Sequence, residues 1–299
     1  EFVSANPTGP ITIGSARNAV IGDSLAAVLE AAGYEVEREY YVNDAGSKVR
    51  HFGGSILSRY GNLFGVDIPF PEEGYPGEYV TDLANLAKAE FGRRYLDEDP
   101  QAAARSLGHW GIEQVLQGVE EDLRHLRVEF DTWFHEKSLY QSGLFDQMMA
   151  RLRERGHIVE YDHATWFQHE DLAKDAVLIR SPEVIPFEED RPTYLASDVA
   201  YVWHKLKLRG FDKAIYVWGA DHHGDVPRVK AAAKALGLDP DRMVIIIYQM
   251  VTLRRGDQEI RMSKSSGEFV TLRELIDEVG VDPIRYMMLT RTVDVTLDF

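Results

Sequence analysis

Two short apolar runs, Lys213-Ala214-Ile215-Tyr216-Val217-Trp218 and Met243-Val244-Ile245-Ile246-Ile247-Tyr248, constrain this chain more than any other feature. Each is too short for a helix and rich in β-branched and aromatic residues. Each also lacks the polar alternation of a half-exposed strand, so it reads as a strand covered on both faces. The stretch 226–236 between them has a helical composition. Strand, helix, strand in that order predicts a parallel pair with a right-handed crossover. An earlier stretch repeats the theme. Residues 1–4 read as a short strand, followed by the turn Asn6-Pro7-Thr8-Gly9-Pro10. A helix fits 13–32, with Ala16, Val20, Leu25, Val28 and Leu29 near one face and Gly33 as its stop. The alternation over 35–42 then predicts another strand.

Between these halves, 67–79 is rich in Pro, Gly and Glu and reads as a loop. Helical patterns follow over 80–91 and 101–126, and short strands over 158–167 and 176–179. The predicted fold class is α/β: a Rossmann-like parallel sheet in two halves with a large, mostly helical insertion between them. The expected divisions are 1–45 for the first half, 46–163 for the insertion, 164–268 for the second half and 269–299 for the start of a helical stem. No fixed-period repeat is visible, which argues against solenoids and propellers.

Composition removes several function classes. The 299 residues contain no cysteine, which excludes a disulfide scaffold, a thiolate zinc site, an iron–sulfur cluster and a cysteine nucleophile. A cysteine-free chain suits a reducing cytoplasm, the expected location. No run approaches the roughly 18 apolar residues of a membrane helix, so no membrane partner is expected. The start, Glu1-Phe2-Val3-Ser4, has neither an initiator Met nor the regions of a signal peptide, and reads as trimmed from something longer. The net charge of −16 disfavours non-specific duplex binding, which depends on neutralising phosphates. A local cationic edge over 253–264 leaves nucleic-acid contact open.

In parallel α/β sheets ligands bind beyond the carboxyl ends of the strands, where loops feed helix N-termini. Three loops fit that position. They are Asn6 to Ser15, then Gly219-Ala220-Asp221-His222-His223-Gly224, then Arg261-Met262-Ser263-Lys264-Ser265-Ser266-Gly267. None is a Walker A loop, and no G-x-G-x-x-G follows the first strand. Taken singly, the loops also fit a turn, a helix cap with solvent-facing histidines, and an ordinary surface loop. Adjacent histidines point in different directions on a helix, so His222 and His223 predict no metal site. The order and spacing of all three loops on one α/β pattern favour function.

On these residues the sequence resembles the catalytic domain of a class I aminoacyl-tRNA synthetase, and within that class the arginyl-tRNA synthetases. The resemblance rests on the stretch Glu1 to Pro10, on Ala16-Arg17-Asn18-Ala19-Val20-Ile21-Gly22-Asp23 and on Tyr40-Tyr41-Val42-Asn43-Asp44-Ala45-Gly46. It continues through Tyr194-Leu195-Ala196-Ser197-Asp198, Val217 to Gly224 and Met262 to Gly267. The resemblance implies that L-arginine and ATP, with Mg2+, form arginyl-adenylate, and that the arginyl group passes to the acceptor end of tRNA(Arg). It also implies that activation requires the tRNA and that the insertion lies near the acceptor end. The family's N-terminal and anticodon-binding domains are expected to be missing from this chain, which predicts weak tRNA binding.

Residue by residue, the resemblance implies that Glu1 and Asp198 recognise the guanidinium and that Tyr194 shapes the pocket. Ser4, Asn6 and His222 would lie around the α-amino and carboxylate groups. Gly9, Gly14, Gly219, Asp221, His223, Met262 and Ser263 would line the nucleotide. Lys264 would clamp the departing pyrophosphate, with Arg261 at the position of the motif's first lysine. A pocket lined with acids is what a planar, permanently charged guanidinium requires.

One departure stands out. The family's signature places histidines where this chain has Thr12 and Ser15; only Ile13-Gly14 between them keeps the pattern. Hydroxyls donate hydrogen bonds but are shorter and carry no positive charge. Losing one preorganised donor costs on the order of 10²–10³ in rate. Three readings therefore stand: an adenylate-forming ligase, a synthetase-like domain that binds arginine or ATP with weak turnover, and a related ligase with another acceptor.

Overall fold

The computed structural model of the chain describes residues 1–180, 191–256, 258–260 and 270–299. Among these it forms α1 (Ile13–Ala31), β1 (Glu39–Val42), α2 (Ser47–Asn62), α3 (Glu78–Phe91), α4 (Pro100–His125) and β2 (Thr132–His135). Then come α5 (Lys137–Gln141), α6 (Leu144–Glu154), β3 (Ile158–Tyr161), β4 (Ala164–Phe167), β5 (Ala176–Arg180), β6 (Arg191–Pro192) and α7 (Tyr194–Trp203). The remaining elements are β7 (Ala214–Gly219), α8 (Val226–Ala235), β8 (Met243–Tyr248), β9 (Val251–Arg255), β10 (Gln258–Ile260), α9 (Leu272–Val279), α10 (Val281–Met288) and β11 (Leu297–Asp298). The fold is mixed α/β, with parallel strand pairs and a large helical region. Its contacts divide it into two compact units, Glu1–Phe2 with Phe134–Gln249, and Val3–Trp133 with Met250–Phe299.

In the first unit, β7 and β8 pair in parallel from Ala214↔Met243 to Gly219↔Tyr248, with α8 as the connection. The two apolar runs thus meet in register. On α8, Val229, Ala232, Ala233 and Leu236 just beyond it form a buried i, i+3, i+4, i+7 stripe. Glu1 lies beside β7: its terminal amine donates to the Ile215 carbonyl at 2.7 Å and its carbonyl accepts from the Val217 N–H at 3.0 Å. Bonding to the residues on either side of Tyr216 is the pattern of parallel pairing. The expected strand over 1–4 is confined to that single contact. Val3 and Ser4 leave the extended region, with φ of 67° and 42°. A second, antiparallel sheet runs β3-β4-β5-β6, so the expected strand over 158–167 is a hairpin. Asp162 and His163 turn it with positive φ, as a two-residue hairpin loop requires.

In the second unit α2 and α4 pack with their backbones in near contact. A Cβ on Gly53 would lie 1.7 Å from the Ala104 carbonyl oxygen, and one on Gly108 would lie 2.3 Å from that of Val49. Phe52, Ile56, Leu107 and Ile112 are buried around this crossing. Val80, Leu83, Ala84 and Ala87 supply the matching face of α3. On α1 the expected single apolar face holds only in part. Ala16 to Gly22 is buried on all sides, whereas Val28 is 66% exposed where the helix runs out. Buried Arg17 donates to the carbonyls of Val295 and Thr292, both at 2.8 Å, and ties α1 to the segment after α10. The strand expected over 35–42 shortens to β1, buried along its whole length because Tyr40 stacks on Trp133 at 4.4 Å.

Candidate functional site

The acids gather in the first unit, and α7 organises them. Thr193 fixes the start of α7 on β5: its hydroxyl donates to the Val177 carbonyl and its N–H to that of Leu178. Tyr194, Asp198, Tyr201 and Lys205 then follow at spacings of four, three and four, which place side chains along one face. Lys205 falls in a π-helical turn, His204–Leu208, that extends the helix. Such widened turns cluster at functional sites.

Lys205 is buried, and its Nζ donates to Glu1 Oε2 at 2.6 Å, with the two side chains only 6% and 9% exposed. The same ammonium lies 3.8 Å from the centre of the Tyr201 ring and 4.4 Å from that of Tyr216. Each ring offers its negative face to the cation, which offsets part of the cost of burying it. Glu1, beside β7, and Tyr216, on it, therefore close a cage begun on a helix.

Asp198 faces a concentration of negative charge. Burial pushes its carboxyl well above the ordinary carboxylate value, and Glu1, Glu136 and Asp225 push it further, while Lys205 pulls it back. These acids come from separate elements: the chain start, the junction of β2 with α5, and the end of the 3-10 turn Ala220–Asp225 after β7. Glu136 is 5% exposed. One turn beyond it, the Tyr140 hydroxyl shares a 2.7 Å hydrogen bond with Ser197, next to Asp198. Burial raises the Tyr140 phenol, and the Glu136 charge adds to the rise. The cluster suits a cation with several donors.

The structure brings Glu1 and Asp198 together, and Tyr194 lies on the same helix face with 56% of its surface exposed. His222 is half-exposed, 3.7 Å from both the Asp221 and Asp225 carboxylates, with its ring near Trp218. Asp221 folds back over Gly219, where a Cβ would meet Asp221 Oδ1 at 2.5 Å. His223 is exposed on the same turn. Glu136 and Lys205 were absent from the sequence reading. Lys205 was findable, because it continues the 194/198/201 stripe; Glu136 carries no local signal and is placed only by tertiary packing.

The residues of the first loop belong to the second unit. The Ser4 hydroxyl accepts from the Tyr41 N–H at 3.0 Å, and the Val3 N–H donates to Asn18 Oδ1 at 2.7 Å. These bonds hold two side-chain-bearing residues in the left-handed region, a cost tolerated mainly where geometry is functional. Asn6 is exposed. Gly9 is buried beneath Tyr79, whose ring would lie 3.1 Å from an added Cβ and whose hydroxyl donates to the Thr8 carbonyl at 2.7 Å. Thr12 occupies the N-cap of α1 without a side-chain capping bond, and no acid lies in the first turn. Gly14 and Ser15 follow, both partly exposed. That terminus therefore presents backbone N–H groups suited to an anion. Thr12 also bridges Thr271, and the Leu272 N–H donates to the Ile11 carbonyl at 2.9 Å, which anchors the loop to the start of α9. Arg261, Met262, Ser263 and Lys264 lie outside the described residues.

Among the described residues no group of three His, Asp or Glu side chains is placed to hold a metal ion, and no helix is long and apolar enough to cross a membrane. Residues 101–291 match the family model for the catalytic domain of class I tRNA synthetases of the R type. The chain is 46% identical over 302 residues to the arginine–tRNA ligase of Carboxydothermus hydrogenoformans, covering all of this chain and 53% of that protein. It is 50% identical to that of Syntrophotalea carbinolica, with the same coverage. The chain thus spans about half the length of the curated relatives it matches. Among solved structures, it is similar to a protein described as an arginyl-tRNA synthetase from Campylobacter jejuni. The TM-score is 0.86 at 37% identity, over 99% of this chain and 63% of that one. The Thermus thermophilus arginyl-tRNA synthetase shares the fold at TM-score 0.72 and 18% identity, over 100% and 59% of the two chains.

Proposed function

The chain belongs to the catalytic-domain family of class I tRNA synthetases of the arginine type, and from that premise we propose that it activates L-arginine with ATP and passes the arginyl group to tRNA(Arg). The observation that carries this reading is the acid cluster of Glu1, Glu136, Asp198 and Asp225 in the first unit. A guanidinium is flat, always charged and rich in donors, and enclosed carboxylates match it in charge and hydrogen bonding. In this reading Glu1 and Asp198 take the guanidinium, Tyr194 flanks it, and His222 serves the α-amino and carboxylate end.

The first step is in-line attack of an arginine carboxylate oxygen on the α-phosphorus of ATP. A P–O bond forms as the bond to pyrophosphate breaks. The hydroxyl at the tRNA 3′ end then attacks the activated carbonyl and AMP leaves. The chain's contribution is positioning and electrostatics. In the second unit, backbone N–H groups at the start of α1, with the Thr12 and Ser15 hydroxyls, serve the negative charge, and Gly14 permits close approach of a phosphate. By family resemblance, Met262 and Ser263 are assigned to the nucleotide, and Lys264 and Arg261 to the departing pyrophosphate. Mg2+ would arrive on the ATP phosphates, since it keeps several waters and needs few protein ligands.

Thr12 and Ser15 favour a second reading, a domain that binds arginine and ATP with slow turnover. Arginine-dependent ATP–pyrophosphate exchange, measured with and without tRNA(Arg), separates the two. Robust exchange supports the enzyme; binding of both ligands without exchange supports the second reading. ATP binding without arginine binding would refute both and point to another acceptor. Thr12→His with Ser15→His is expected to raise exchange if those positions limit it.

A further inference from the structure

The cation inside the acid cluster has no part in the chemistry outlined above. We propose that Lys205 is a positioning residue of the arginine pocket: it fixes the Glu1 carboxylate and supplies the counter-charge that decides how readily the cluster accepts the substrate's cation. This inference rests on the arginine reading of the same site.

The geometry supports it in three ways. Lys205 Nζ sits 2.6 Å from Glu1 Oε2, so the two form a tight ion pair, and both side chains are buried. The ammonium is held between the Tyr201 and Tyr216 rings at 3.8 and 4.4 Å, which keeps the long side chain from wandering. Lys205 also lies on the helix face that carries Asp198, within the π-helical turn. Held through one carboxylate oxygen, Glu1 is fixed in orientation and keeps its other oxygen as an acceptor.

The groups that face Asp198 are Glu1 from the chain start, Glu136 and Tyr140 from the β2–α5 region, Asp225 from the turn after β7, and Lys205 from its own helix. His222 lies behind Asp225 at 3.7 Å. Arginine binds the ionised carboxylate, so its affinity rises with pH until Asp198 has lost its proton in the empty pocket. Lys205 favours the ionised form and Glu1 opposes it. Removing each should therefore move the midpoint in opposite directions.

The test is calorimetric titration of this chain with L-arginine from pH 4 to 9, for the unaltered protein, Lys205→Met, Lys205→Arg and Glu1→Gln. Lys205→Met is expected to move the midpoint of the affinity profile up by about one pH unit or more, the scale of a neighbouring opposite charge. Glu1→Gln is expected to move it down, and Lys205→Arg to leave it in place. A folded Lys205→Met whose affinity drops by the same factor at every pH would overturn the proposal, because a purely structural role predicts that. If Lys205→Met does not fold, Glu1→Gln decides: an unmoved midpoint refutes the proposal and a downward shift supports it. Failure of the unaltered chain to bind L-arginine would remove the arginine reading itself, a distinguishable result.

Discussion

Replacing Asp198 by Asn should stabilise the ligand-free chain while abolishing its affinity for a cation. The folded Asp198 carboxyl is held well above the ordinary value by burial and by Glu1, Glu136 and Asp225. An acid whose folded value is raised binds its proton more tightly in the folded state than in the unfolded one. The folded chain is therefore favoured at low pH and loses stability as pH rises from the ordinary carboxylate range through the folded value. One proton is at stake, so the slope is at most about 1.4 kcal/mol per pH unit. Asn keeps the shape and cannot ionise. A single stabilising substitution commonly yields about 0.5–2 kcal/mol. At about 2–4 °C per kcal/mol, that is a gain of roughly 1–8 °C. Thermal unfolding of both proteins followed by circular dichroism from pH 4 to 9 reads the effect directly. The curves should nearly coincide near pH 4 and separate as pH rises, with Asp198→Asn the more stable. A variant less stable at neutral pH, or a gap that does not change with pH, would refute the reasoning.

Other expectations follow from packing. Gly53→Ala forces a Cβ onto the Ala104 carbonyl; backbone cannot rotate away, so urea unfolding should show a loss of at least about 3 kcal/mol, the upper end of ordinary overpacking. Gly118→Ala, at an exposed α4 position where nothing lies within 4 Å, should instead gain about 0.5–1 kcal/mol in the same assay; equal effects at the two sites would contradict the described crossing of α2 and α4. Arg17→Met removes the charge-assisted bonds from the buried guanidinium to the Val295 and Thr292 carbonyls. Its expected cost is about 2–4 kcal/mol, with earlier proteolysis in the segment after α10; full retention of stability would show that this tether is dispensable.

The parts legible from sequence were those set by local pattern. The runs ending at Trp218 and Tyr248 became a parallel pair because fully apolar, β-branched strands have few alternatives. The helix begun at Ile13 ends at Ala31, next to the expected stop. Where tertiary contacts decide, pattern failed. Val3 and Ser4 read as strand residues, yet the bonds to Asn18 and Tyr41 hold them at positive φ. Val28 has an apolar side chain on the expected face, yet the buried part of α1 ends before it. At the site, Asp198 was visible through its motif, while Glu136 lies 62 positions away and joins it only when α5 packs on α7. Lys205 was hidden by habit: a lysine near a helix end reads as solvated, and only the ring pair and Glu1 show it buried.

L-arginine and L-citrulline differ at the side-chain end by a charged guanidinium against a neutral ureido group of nearly the same shape. Isothermal titration of this chain with both, at pH 8 and low salt, tests whether the acid cluster reads that charge. The account predicts that arginine binds and citrulline binds at least about 100-fold more weakly, the cost of leaving buried carboxylates without their cation. Comparable affinities for the two ligands would contradict it.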